Sequence, residues 1–184
     1  MSAGHGAGHG EHGGNKGIAL LISVLALVLA VAETLGKNAQ TAALASNIEA
    51  SNLWAFFQAK TIRQTVLRTA AEQTAVYGTD DAAKKQMQKW LDTAQRYQSE
   101  PDTGEGRDQL AARAKAAEKK RDKSMDAYHN FESASAAAQL AIVLASASII
   151  AEMIALAWVA GVLGVIGVAF CALGLIHPIA IHLF

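Results

Sequence analysis

The sequence predicts an all-α protein: three transmembrane helices, with a long helical hairpin or coiled-coil stalk in the loop between the first and the second. Three observations carry that expectation. Apolar side chains make up 52% of the 184 residues and are gathered into blocks. Ile18 to Leu35 holds one charge, Glu33, and Ala136 to Phe184 holds one, Glu152. A helix at the surface of a soluble protein needs a polar face, and these blocks offer none over lengths that can cross a bilayer. Between them lie about a hundred residues that carry most of the charge and have helical periodicity, punctuated at Gly78 and at Glu100 to Gly106.

Taken in order, residues 1–17 form a glycine and histidine tract with nothing to bury, expected to be a flexible tail. Residues 18–35 form the first span, whose length of roughly 27 Å just matches a hydrocarbon core of about 30 Å. Ala30-Val31-Ala32 before Glu33 has the small-x-small form of a signal-peptide cleavage site. The flank carries only Lys16 and the run is long for a signal, so a retained membrane helix is expected. Residues 36–135 make the extramembrane stalk, and 136–184 a hairpin of two spans. Its turn is expected at Trp158-Val159-Ala160-Gly161, where an interfacial tryptophan and a glycine suit a tight reversal. His177-Pro178 should then end the third helix.

In the stalk, Leu44, Ile48, Ala55, Ala59, Ile62, Val66, Thr69, Gln73 and Val76 form a heptad-like seam. No proline interrupts Ile18 to Tyr77, so the first span can continue outward as one helix with Gly36 its only weak point. Gly78 breaks it, and Thr79-Asp80-Asp81 caps a second helix bearing Ala83, Met87, Trp90, Leu91, Ala94 and Tyr97 on one face. The loop of Glu100 to Gly106 follows. A third helix starts at Arg107, with Leu110, Ala114, Ala117, Met125, Tyr128 and Phe131 apolar. Turning at Gly78 matches the lengths of the outgoing and returning pieces better than turning at Glu100.

Charge and cysteine content narrow the function classes. The 16 basic and 16 acidic residues cancel, which gives no support to a nucleic-acid partner. Cys171 is the single cysteine, so no intrachain disulfide and no cysteine metal site can form. Fifteen of the 16 Lys and Arg lie in residues 36–135, and those nearest the spans bias this loop and the C-terminus toward the cytoplasm.

The run Asn47 to Arg63, NIEASNLWAFFQAKTIR, resembles an uncharacterised bacterial membrane family, domain of unknown function 4337. The likeness extends over nearly the whole chain. It includes the histidine-bearing N-terminus, a first span running into Ala32-Glu33-Thr34, and Gln139 to Ser146. The resemblance implies a helical protein of the bacterial inner membrane and brings no activity, substrate or catalytic residue with it.

Candidate sites are few. Trp54, Phe56, Phe57, Lys60 and Arg63 are the most suggestive cluster. Adjacent helical positions are about 100° apart, so these aromatics cannot all face one seam. They either pack between helices of the chain or its copies, or dock lipid headgroups or a partner protein through Lys60 and Arg63. His5, His9 and His12 are weak metal candidates against the simpler reading of a solvated tail. Glu33 and Glu152 sit at different depths, about 21 Å apart if Glu152 lies within a span, so they form no dyad. Ala145, Ser148 and Ala151 of the second span and Gly161, Gly164, Gly167 and Gly174 of the third are expected to let helices approach closely.

No nucleophile elbow, phosphate loop, dinucleotide fingerprint or zinc-protease helix is present, so no enzyme and no cofactor is expected. The leading expectation is a membrane protein that self-associates as a homo-oligomer, in a structural, scaffold or interaction role among membrane lipids. A subunit of an oligomeric channel or transporter is the alternative, as is an accessory subunit bound to a membrane-protein partner.

Overall fold

A computed structural model of the chain describes residues 12–176, with side chains from Lys16 onward. Four helices follow one another: α1 (His12–Tyr77), α2 (Asp81–Gln98), α3 (Arg107–Ile150) and α4 (Ile154–Ile176). There is no strand among the described residues. Helices α1, α3 and α4 are long and apolar enough to cross a membrane. The chain divides into two units, one of α1 up to Ala42 with α3 from Lys123 and α4, the other from Ala43 to Asp122.

The breaks have local causes. Gly78 ends α1, its N–H donating to the Thr74 carbonyl at 2.7 Å. A Cβ at Gly78 would meet that same carbonyl oxygen at 2.7 Å, so this close turn needs glycine. Asp80 caps α2, its carboxylate accepting the Ala83 N–H at 2.7 Å. The loop after α2 turns through Gly104 at φ +69° and closes on Gln109, whose Oε1 accepts the Glu100 N–H at 3.2 Å.

In the first unit, α1, α3 and α4 pack as a three-helix bundle. Its core is Ile18, Leu25, Ala141, Ala145 and Ala160, with Leu21, Ile22, Ile142, Leu144, Ala157 and Leu163 against it. Three of the five core residues are alanine, which lets the helix backbones approach closely while the leucines and isoleucines fill the space around them. Hydroxyls in the apolar stretches bond back to their own helix, Ser23 to the Ala19 carbonyl and Ser146 to the Ile142 carbonyl.

In the second unit, α1 packs antiparallel against α2 and then the start of α3. The core is Ala50, Leu53, Leu110, Ala114 and Ala117, flanked by Trp54 and Phe57.

Several expectations need correction. Helix α1 begins at His12, so residues 12–17 are helical rather than part of a tail, while residues 1–11 and 177–184 lie outside the described residues. Gly36 is no weak point: α1 runs through it, and a Cβ there would stand 3.4 Å from the Phe131 Cβ. Helix α3 passes from stalk to apolar block without a break at Ser135. The hairpin turn is at Ala151 to Met153, and Trp158 to Gly161 are helical within α4. Charge explains the shift, since Glu152, exposed and at φ 54°, sits at the tip instead of mid-span, where a carboxylate is costly.

The inner seam of the stalk is also a different one. Ala43, Ser46, Ala50, Leu53, Lys60, Gln64 and Ala71 are buried, at steps of three, four and seven. Of the expected seam, Leu44, Ile48, Ile62, Val66 and Val76 are 58–73% exposed. The Ala-rich face of α3 fits the small buried residues, while Lys60 finds polar partners in the loop after α2 and Gln64 at the end of α2 and the start of α3.

Candidate functional site

The aromatic and basic cluster of α1 is split by the helix geometry. Trp54 donates from Nε1 to Glu118 Oε1 at 2.9 Å and meets Phe57 edge-on, ring centroids 5.5 Å apart at 83°. The Arg107 guanidinium lies 4.9 Å from the Phe57 ring centre. Lys60 is 5% exposed. Its ammonium stands 3.6 Å from Glu100 and 3.7 Å from Glu105, and 5.4 Å and 5.3 Å from the ring centres of Phe56 and Tyr97. A buried ammonium needs such partners, and here they tie the loop after α2 to α1.

Lys60 is therefore an internal strut and is not presented to a headgroup or a partner. Phe56, 37% exposed, and Arg63, also exposed, remain at the surface. They stand seven residues apart, hence on one side of the helix.

Beside Lys60 is a polar knot that the sequence reading missed. Gln64, 2% exposed, donates from Nε2 to the Ala94 carbonyl at 2.9 Å and to Gln98 Oε1 at 3.2 Å. Arg107 Nη1 donates to Gln64 Oε1 and to Gln98 Oε1. Arg107 Nε is buried and has no hydrogen-bond partner among the described residues. Gln64 carried no signal because glutamine on a helix is ordinarily solvated; only its heptad spacing from Phe57 and Ala71 could have marked it.

Of the small residues, Ala145 is fully buried, Ser148 is 3% exposed, and Gly164 and Gly167 are buried. A Cβ at Gly164 would meet Leu25 Cδ2 at 2.6 Å, and one at Gly167 the Ala134 carbonyl at 3.2 Å. Gly161 does not share this packing within the chain: among the described residues nothing lies within 4 Å of a Cβ there, and its neighbour Ala160 is buried instead. Gly174 packs in the same way: a Cβ there would meet the Phe131 ring at 2.8 Å. The α4 seam thus runs Ala160, Gly164, Gly167, Gly174.

A cavity of ≈ 340 Å³ opens in the first unit where the apolar stretch of α1 ends, lined by Glu33, Lys37, Gln40, Tyr128, Phe131 and Glu132. Gln139 Nε2 donates to Glu33 Oε1 at 3.4 Å, and Tyr128 donates to Glu132 Oε1 at 3.4 Å. The Glu132 charge, helped by burial and that hydrogen bond, raises the Tyr128 phenol above its usual value. His5 and His9, and the side chain of His12, lie outside the described residues.

No curated protein and no solved structure matches the chain. A family model does, over residues 14–177, taking in all of the packing seams and the polar knot described above. With nearly its whole length matched, the chain belongs to the family described as Domain of unknown function (DUF4337).

Proposed function

We propose that this chain is a multi-pass protein of the bacterial inner membrane whose role is non-enzymatic: a self-associating scaffold or interaction protein, with residues 36–135 and the C-terminus in the cytoplasm. The observation that carries the reading is the apolar surface left on the hairpin unit, outside the apolar spans. Leu44, Ile48, Ile62, Val66 and Val76 are each more than half exposed there. Lipid cannot cover residues that stand beyond the bilayer, and contiguous apolar surface in water marks contact with protein. The apolar outer faces of α1, α3 and α4 in the other unit suit lipid.

Static light scattering of the purified protein in nanodiscs tests self-association. A mass of two or more chains supports it, and a single chain of 19.3 kDa refutes it. Thr103→Cys in a Cys171→Ser background tests the orientation: labelling by a membrane-impermeant maleimide in spheroplasts only after lysis supports a cytoplasmic loop, and labelling before lysis reverses it.

A further inference from the structure

Helix α1 carries two seams in the hairpin unit, on opposite sides. The inner one, Ala43, Ser46, Ala50, Leu53, Lys60, Gln64 and Ala71, is filled by the chain's own returning helices. The outer one keeps the same alternation of three and four residues from Ala45 to Val76. We infer that this outer stripe, centred on Ile48, Asn52, Ala55, Ile62, Val66 and Val76, pairs in parallel and in register with the same stripe of a second copy. The inference rests on the proposed self-association and assigns its surface, direction and register.

Orientation follows from topology. Copies inserted in one bilayer share the same topology, and α1 runs uninterrupted from the apolar block to Tyr77. Two such helices meeting back to back therefore run parallel. Register follows from the polar members. With Ile48, Ala55, Ile62, Thr69 and Val76 at the d positions of the outer heptad, Asn52 and Gln73 fall at its a positions. An asparagine at a single a position faces its own counterpart only in the parallel, aligned pair, where the two amides satisfy each other.

The edges of the stripe agree. In a parallel pair, a residue on one edge faces the residue five positions later on the second copy. That sets Leu44 beside Glu49, Ser51 beside Phe56, Gln58 beside Arg63, and Glu72 beside Tyr77. No like charges oppose, and Arg63 meets an amide that can accept from it. Phe56 and Arg63, the two members of the aromatic and basic cluster left outside, thereby gain neighbours. The stripe is about 48 Å long and roughly 10 Å wide, so two copies bury on the order of 1,000 Å², enough for a specific interface.

Single-cysteine variants of the full chain test this, each in a Cys171→Ser background in nanodiscs under copper phenanthroline oxidation. Ala55→Cys, Ile62→Cys and Val76→Cys should each give a covalent product at twice the 19.3 kDa chain mass. Arg68→Cys, exposed but off the stripe, should stay at one chain mass. Cross-linking at only one of the three positions means crossed or antiparallel helices and overturns parallel pairing. Multimeric mass by light scattering without cross-linking at any of them overturns this surface while leaving self-association standing. A single-chain mass overturns both.

Discussion

Phe131 sets up a sharp test of the packing in the membrane-capable unit. The residue is 4% exposed, with Gly174 facing its ring and Gly36 its Cβ. A Cβ on Gly174 would lie 2.8, 2.9 and 3.2 Å from three ring carbons, and one on Gly36 would lie 3.4 Å from the Phe131 Cβ. Ordinary carbon contacts are about 3.5–4.0 Å, so Gly174→Ala forces α4 or the ring to move by roughly 0.7 Å or more. A flexible side chain could swing aside, but a buried planar ring held on its other side cannot. Overpacking of this kind costs about 1–3 kcal/mol, while alanine in place of helical glycine returns up to about 1 kcal/mol. Gly161→Ala is the control, because among the described residues nothing lies within 4 Å of its Cβ, which leaves the propensity gain. The two variants should therefore differ by about 1–3 kcal/mol in opposite senses, Gly161→Ala raising the thermal midpoint in detergent and Gly174→Ala lowering it. Adding Phe131→Ala to Gly174→Ala should make the cost of the glycine change vanish, because the colliding ring is gone. Equal midpoints for Gly174→Ala and Gly161→Ala would refute the account of α4 as a helix seated on Phe131.

Lys60 and Arg63 should behave differently although only three residues separate them. Lys60→Glu puts a third carboxylate against Glu100 and Glu105, so the loop after α2 should detach, read as a large gain in amide exchange across residues 99–106. Arg63→Glu, on the exposed side, should leave that exchange unchanged, and equal effects would contradict the inward placement of Lys60. Tyr128 should ionise above the usual range near 10, and Glu132→Gln should bring it back down, followed by ultraviolet difference absorbance in a Tyr77→Phe, Tyr97→Phe background. The folded state holds this proton more tightly than the unfolded one. Its contribution to stability is thus complete below the unfolded value and is lost as pH rises through the folded one.

The sequence by itself determined the class of the protein and most of its boundaries. Apolar blocks with a single charge each make membrane-capable helices, and Gly78, Asp80 and the Pro101 to Gly106 loop break or cap helices through their own local chemistry. The hairpin turn was less legible because Ala136 to Ile176 contains no proline or polar cluster. Its one charge, Glu152, was the informative residue, since a carboxylate prefers the tip of a hairpin to its middle. Tertiary structure alone decided which of two seams on α1 faces inward. Both repeat at the same spacing and both mix small with polar residues, so periodicity cannot rank them. The choice comes from what the returning helices supply: the alanines of α3 for Ala50 and Leu53, carboxylates for Lys60, and the Ala94 carbonyl for Gln64. Those partners are 30 to 64 residues away along the chain, and only folding brings them into range.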